Sequence, residues 1–279
     1  MTPKLGGKPI SRIGYGAMRL PGVGNGTTDP ELSHLLLTEA ISLGANIIDT
    51  ADFYGNGLAN NLISEALTPY SENLIISTKV GVKTGSSGRP EPAATSAEII
   101  ETIDRNLDSL RTNSLDLVFL RLPGGPLADS GVPIQKSVEC LFKLQQQGVI
   151  NHIGLSSASV EQITLAKEIA PISAIQNAYF VGHSLSKDVL NLCTKEEIPF
   201  LAYFPLGMGK LIQEKINLKK MAETYNATES QIALAWLLEI SPMVVPIPGT
   251  SNIEHLRENM KAKDIVLSSE DMKALSNIV

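Results

Sequence analysis

The chain has 279 residues, 43% of them hydrophobic and 5% aromatic, enough to bury a large core as one α/β barrel or two smaller domains. Lys plus Arg number 23 against 29 Asp plus Glu, a formal net charge of −6, so nucleic acid and anionic membranes are poor partners and any anionic ligand needs a local cluster. Cys140 and Cys193 are too few for a disulfide framework and lack metal spacing, no apolar run approaches the ~20 residues of a membrane helix, and the N-terminus lacks a signal-peptide pattern; a cytoplasmic protein without a metal is expected.

In chain order, residues 4–11 come first, with Gly6-Gly7 at their centre in the pattern of a hairpin. A strand is predicted over 13–18, then a helix over 31–43, a strand over 46–51, a helix over 60–67 and a strand over 74–80. Residues 84–95, rich in Pro, Gly and Ser, read as an enlarged strand-to-helix loop before a helix over 96–110. The alternation continues with a strand at 115–121, a helix at 136–147, a strand at 152–156, a helix at 160–169, a strand at 174–177 and a helix at 187–196. It closes with a strand at 200–204, a helix at 230–238, a strand at 244–248, a helix at 253–260 and a last helical pattern at 269–278. Thr28-Asp29-Pro30-Glu31, Thr95-Ser96-Ala97-Glu98 and Thr228-Glu229-Ser230-Gln231 are helix-start signals. Strand order is not readable from one sequence, and a doubly wound sheet stays open. Eight regular strand–helix units favour an α/β fold of the (β/α)8 TIM-barrel type, one domain over residues 1–279 with a short N-terminal hairpin.

In such a barrel the strand C-termini carry the site. There the chain puts Asp49, then Tyr54 in the following loop, Lys79, Arg121, Ser156-Ser157 and Gln176-Asn177. Charges of both signs at the ends of apolar strands are costly to bury unless they pair. Asp49 can hold Lys79 as an ammonium, and Lys79 can lower the pKa of Tyr54 toward a usable proton donor. His34 reads as a solvated helix residue, His152 as structural and Trp236 as core, whereas His183 and Arg19 stand in loops after the sixth and first strands, where a side chain can reach a ligand.

The run Asp49-Thr50-Ala51-Asp52-Phe53-Tyr54-Gly55, with Ser77-Thr78-Lys79, Gly154-Leu155-Ser156, Gln176-Asn177, Pro205-Leu206-Gly207 and Ile247-Pro248-Gly249-Thr250-Ser251…Glu258-Asn259, resembles the aldo-keto reductases over essentially the whole chain. The resemblance implies a (β/α)8 barrel with NADP(H) lying across its C-terminal face. The chain's one glycine-rich run, Gly22-Val23-Gly24-Asn25-Gly26, lacks the strand–GxGxxG–helix context of a dinucleotide fingerprint and reads as a loop. By the same resemblance Tyr54 is the general acid, Lys79 its tuner and Asp49 the partner of Lys79. Ser156 and Gln176 would bond the nicotinamide carboxamide, with Ser157 where relatives carry Asn. Tyr203 would stack on the nicotinamide and Leu206 and Gly207 would line the pyrophosphate path. Gly249, Thr250 and Ser251 would meet the adenosine phosphates, Glu258 and Asn259 the adenine. His255, with Arg257 nearby, would face the 2′-phosphate and favour NADP over NAD.

Arg121 stands where most relatives have His, completing an Asp-Tyr-Lys-Arg set in place of the usual four. The stretches around Leu120–Gly125, 145–148 with 152–156, and 255–259 resemble the bacterial pyridoxal reductases, which implies pyridoxal or a similar small aromatic aldehyde as substrate. The final helical pattern ends close to Val279, and a comparatively open site is expected. A monomer or weak homo-oligomer acting on a small carbonyl compound, without nucleic acid or membrane partners, is the expectation. Two other functions compete with it: a Schiff-base aldolase using Lys79 as nucleophile, and a barrel that binds NADPH as a sensor or regulatory subunit with little turnover.

Overall fold

Parallel strands covered on both faces read as unbroken apolar runs, and each such run needs a crossover helix to return the chain. The computed structural model, which describes residues 2–22, 29–85, 90–122, 133–207 and 218–277, has this pattern. Strands β1 (Lys4–Leu5) and β2 (Lys8–Pro9) pair antiparallel as the expected hairpin. The barrel strands are β3 (Tyr15–Gly16), β4 (Ile47–Asp49), β5 (Ile75–Thr84), β7 (Leu115–Arg121), β8 (Ile150–Ser156), β9 (Ile172–Ala178), β10 (Phe200–Tyr203) and β11 (Val244–Pro246), hydrogen-bonded in parallel in that order. Gly14 N donates to Pro246 O at 3.0 Å and Gly16 N to Pro248 O at 3.2 Å, closing the first strand onto the last. The closure depends on missing side chains: a Cβ on Gly16 would lie 2.7 Å from Ile247 O, and one on Gly249 2.6 Å from Gly16 O. The fold is a (β/α)8 TIM barrel with an N-terminal hairpin.

Helices α1 (Pro30–Ser42), α2 (Leu58–Leu67), α3 (Ser96–Leu110), α4 (Ile134–Gln146), α5 (Val160–Lys167), α6 (Lys187–Lys195), α8 (Glu229–Ile240) and α9 (Ile253–Lys261) follow the strands, with α7 (Leu218–Tyr225) and α10 (Ser269–Ser276) as additions. Asp29 caps α1 with Pro30 in its first turn, and Thr95–Glu98 and Thr228–Gln231 form reciprocal capping boxes at α3 and α8. Along each strand alternate side chains go in and out. On β7, Leu117 and Phe119 join Ile47, Ile75, Ala174, Leu201 and Val245 inside the barrel, while Val118 and Leu120 pack outward in the cluster that includes helical Leu36, Ile63, Ile99 and Leu141. Leu5 and Ile10 plug the interior from the hairpin side.

Three expectations differ. The first strand pairs regularly only at Tyr15–Gly16, and Ala17–Arg19 turn into a 3-10 helix. Residues 84–95 are not wholly a loop: β5 extends to Thr84 and β6 (Pro90–Ala93) returns antiparallel to it, Gly81 facing Ala93. Pro90 and Pro92 disguise this strand in the sequence, but an edge strand tolerates residues without an N–H. Helix α7 is not among the expected elements. The glycine-rich 23–26 and the turn at 123–125 lie outside the described residues. Among the described residues no helix is long and apolar enough to cross a membrane.

Candidate active site

Because β4 and β5 run in parallel with Asp49 opposite Ser77, their inward side chains converge at the C-terminal end of the barrel. Lys79 Nζ donates to Asp49 Oδ2 at 2.6 Å and to the Thr50 carbonyl at 2.8 Å, both side chains being almost wholly buried. Asp49 Oδ1 accepts from Ser77 Oγ at 2.8 Å and from Gln176 Nε2 at 2.7 Å. The carboxylate is thus surrounded by donors, as a buried charge requires. Burial alone would pull the Lys79 ammonium down; Asp49 and Tyr54 outweigh it, and its pKa lies above the ordinary value.

Tyr54 sits in the loop between β4 and α2, where its N–H donates to Ala51 O at 3.0 Å and its carbonyl accepts from Ala59 N at 3.3 Å. The turn needs Gly55, which has φ +61 and whose Cβ would stand 2.5 Å from Pro21. Lys79 Nζ lies 5.0 Å from the centroid of the Tyr54 ring, and Phe53 meets that ring edge-on. Desolvation pushes the phenol up, Asp49 adds to this, and the Lys79 and Arg121 charges oppose it; the net direction is upward. The expected lowering by Lys79 is present, but as a partial compensation for burial.

Arg121 ends β7 beside Ser156 of β8. Its Nη1 donates to Ser157 Oγ at 3.2 Å, Ser157 Oγ shares a hydrogen bond with Tyr203 Oη at 3.0 Å, and the guanidinium carbon lies 5.7 Å from the Tyr203 ring centroid. Ser157 is in the left-handed region at φ +61, a conformation that Asn accepts more readily than Ser. No carboxylate forms an ion pair with Arg121 among the described residues.

Two side-chain atoms at this depth have no partner among the described residues: Ser156 Oγ and Gln176 Oε1, both fully buried. An orphaned buried donor or acceptor is costly, so the pair marks where a polar ligand completes the site. A cavity of about 600 Å³ opens beside Asp49, to which Gln176 is bonded, and is bounded by Asp49, Tyr54 and Tyr203 together with Leu206, Gly249, Thr250 and Ser251. From α9, His255, Glu258 and Asn259 also border it. Gly207 lies just outside, its Cβ position 3.2 Å from the Phe180 ring; Lys79, Arg121, Ser157 and Gln176 lie outside the cavity lining and are linked to it through Asp49 and Tyr203, and Ser156 lies outside it as well. Arg257 is taken up by Glu39 at 2.8 Å and Glu254 at 2.9 Å, leaving His255 as the basic side chain of α9 at the cavity.

Sequence reasoning missed Ser77, although it stands two residues before Lys79 on the same inward face, and missed Phe204, Glu229, Ser230 and Asn252, which border the cavity. Arg19 borders it too, as its place after the first strand suggested, together with Met18. His183 stacks on Phe180 with ring centroids 4.7 Å apart, and His152 lies at the opposite end of the barrel under the hairpin, where a Cβ on Gly6 would meet its Nε2 at 2.4 Å. Trp236 stacks on Tyr179 in the core, as expected.

Residues 12–279 match the family model described as the Aldo/keto reductase family. Pyridoxine 4-dehydrogenase of Escherichia coli (strain K12) is 40% identical over 283 aligned residues, covering 99% of this chain and 98% of that one. A thermostable aldo-keto reductase solved with the inhibitor epalrestat superposes with a TM-score of 0.86 at 30% identity, covering 100% of both chains. An aldo/keto reductase of Klebsiella pneumoniae solved with NADP and acetate superposes at 0.84 with 26% identity, covering 99% of this chain and 94% of that one.

Proposed function

Since the chain belongs to the aldo/keto reductase family and is an NAD(P)H-dependent oxidoreductase, we propose that it reduces an aldehyde to an alcohol with NADPH, Tyr54 giving the proton. The observation that carries this is the buried, unpartnered pair Ser156 Oγ and Gln176 Oε1 beside Asp49. A nicotinamide carboxamide offers an N–H donor and a carbonyl acceptor, which this acceptor and this hydroxyl match. Tyr203 offers a ring face for stacking, and Leu206, Gly249, Thr250 and Ser251 would hold the phosphates. His255 would meet the 2′-phosphate, and Glu258 and Asn259 the adenine.

When bound, NADPH supplies the hydride that reaches the carbonyl carbon. Tyr54 then gives its phenolic proton to the carbonyl oxygen, and the tyrosinate regains a proton from solvent. The fixed charges of Lys79 and Arg121 stabilise both the developing alkoxide and the phenolate left behind. Asp49 keeps Lys79 charged through their 2.6 Å contact. Arg121 cannot lose its proton near neutrality, so it acts as an orienting donor and a standing positive charge. Its lack of a carboxylate partner among the described residues, with the 40%-identical pyridoxine 4-dehydrogenase, supports pyridoxal or a similar aromatic aldehyde bearing an ionised group.

The aldolase alternative needs Lys79 as a neutral amine, which a contact this short to a buried carboxylate opposes. Turnover separates the enzyme from the sensor. A panel of aldehydes including pyridoxal, assayed with NADPH and NADH at the nicotinamide absorbance, should show reduction that favours NADPH. Tyr54→Phe should lose about 10²- to 10⁴-fold in rate while still quenching NADPH fluorescence. Full activity in that variant would overturn the mechanism, and NADPH binding without turnover of any aldehyde would favour the sensor.

A further inference from the structure

Immediately outside the barrel wall, behind the charged site, lies a second polar cluster that the chemistry above does not use. Thr50, Asn60, Thr78 and Asn106 are each fully buried. Thr50 Oγ1 donates to Asn60 Oδ1 at 2.8 Å, and Asn60 Nδ2 donates to Asn106 Oδ1 at 2.9 Å and to Ser109 Oγ at 3.1 Å. Asn106 Oδ1 also accepts from Thr78 Oγ1 at 2.6 Å, while Asn106 Nδ2 donates to Thr102 O at 2.7 Å. Every polar atom of both asparagine side chains is therefore used, and a fully satisfied buried network has one geometry.

Its members are the chain neighbours of the site. Thr50 follows Asp49, and its carbonyl accepts from Lys79; Thr78 precedes Lys79. Asn60 is in the first turn of α2, where Ala59 N is bonded to the Tyr54 carbonyl. Helix α3, which contributes nothing to the cavity lining, thus reaches three segments through one side chain: the end of β4, the Tyr54 loop by way of Asn60, and β5 by way of Thr78. The adjacent Arg105 makes a second tie from the same helix, its Nε 2.9 Å from Asp52 Oδ2 in the Tyr54 loop.

We propose that Asn106 is a positioning residue for the reductase site, fixing the Tyr54 loop and the Thr50 carbonyl relative to Lys79 from the far side of the barrel wall. The inference rests on Tyr54 and Lys79 acting as described above. If Asn106 is lost, Thr78 and Asn60 lose their shared acceptor, and the carbonyl that helps hold Lys79 loses its brace. Lys79 then stabilises the tyrosinate less well. Asp49 and Arg121, the other charges that face Tyr54, stay where they are.

The test compares Asn106→Ala, Thr78→Val and Tyr54→Phe with the full chain, using pyridoxal as aldehyde. It measures kcat and KM, NADPH affinity by fluorescence quenching, and the pH at which kcat declines on the alkaline side. Displacement of reacting groups by a fraction of an ångström is expected to lower kcat of Asn106→Ala about tenfold, with NADPH affinity held within about twofold. The alkaline limb should move upward by about half a pH unit, because Tyr54 loses part of the compensation that Lys79 provides. Thr78→Val removes one hydrogen bond at constant shape and should show the same pattern at about threefold in kcat; it carries the test if Asn106→Ala does not fold. A merely stabilising network would lower the unfolding midpoint and leave kcat and the alkaline limb at wild-type values, which would overturn the proposal. Full activity of Tyr54→Phe would instead overturn the mechanism on which it rests.

Discussion

Replacing Asp49 with Asn isolates the buried ion pair, and its cost follows from the geometry. The amide keeps Oδ1, so Ser77 and Gln176 retain an acceptor, but it turns an N–H2 toward Lys79 Nζ, which now sits 2.6 Å from where its counter-charge was. Lys79 is 2% exposed and has two ways out. It stays charged and unpaired, at about 3–5 kcal/mol for a broken buried pair. Or it gives up its proton, at about 1.36 kcal/mol per pH unit below its ordinary value near 10.4. That second route caps the loss at about 4.6 kcal/mol at pH 7 and about 1.9 kcal/mol at pH 9. In the wild type the Lys79 pKa is raised, so its contribution is fully present below the unfolded value and is lost only above it. Urea unfolding followed by circular dichroism should therefore show a loss of about 3–4.6 kcal/mol at pH 7 that shrinks by up to about 2.7 kcal/mol at pH 9. Adding Lys79→Met should bring stability back to within about 1.5 kcal/mol of wild type, since no buried charge is left. A loss under about 1 kcal/mol at pH 7, or one that does not shrink with pH, would refute the reasoning.

Two further outcomes follow from groups at opposite ends of the barrel. Arg121→His puts a titrating side chain where the charge was permanent, so kcat/KM for an anionic aldehyde should fall as pH rises through about 6.5, while an uncharged aldehyde shows a smaller change; equal profiles for the two would make the charge irrelevant to substrate choice. At the base, burial and then Lys8 depress the His152 imidazole, with Asp116 opposing. A depressed histidine means that the unfolded chain binds more protons, so stability is retained above about 6.5 and declines below it. Unfolding midpoints measured from pH 7.5 down to pH 5 should fall less steeply in His152→Asn than in wild type, and parallel slopes would remove His152 from the acid response.

Much of this chain was legible because parallel strands and their helices leave a simple trace. The apolar run ending at Arg121 and the helix over Ser96–Leu110 fall at the boundaries expected for them, since one is buried on both faces and the other opens on a capping box. The β6 strand was hidden by its prolines and depends on what it packs against more than on its own pattern, while α7 is a short addition between β10 and α8. Ser77 was readable from its place two residues before Lys79, whereas the bracing by Asn60 and Asn106 was not, because an asparagine in a helix looks the same whether it faces water or another asparagine.

By itself the order of residues determined that Asp49, Tyr54, Lys79, Arg121, Ser156 and Gln176 share one rim, because strand periodicity and the rule that strand C-termini carry the site require no knowledge of contacts. Only the tertiary structure decided how their charges are spent. It gave the Asp49 carboxylate to Lys79, Ser77 and Gln176, and joined Arg121 to Ser157 and Tyr203. It also reversed the net direction for Tyr54, whose burial outweighs the lysine beside it. The physical reason is that pattern fixes which face a side chain takes, while desolvation and hydrogen bonding depend on distances between segments far apart in the chain.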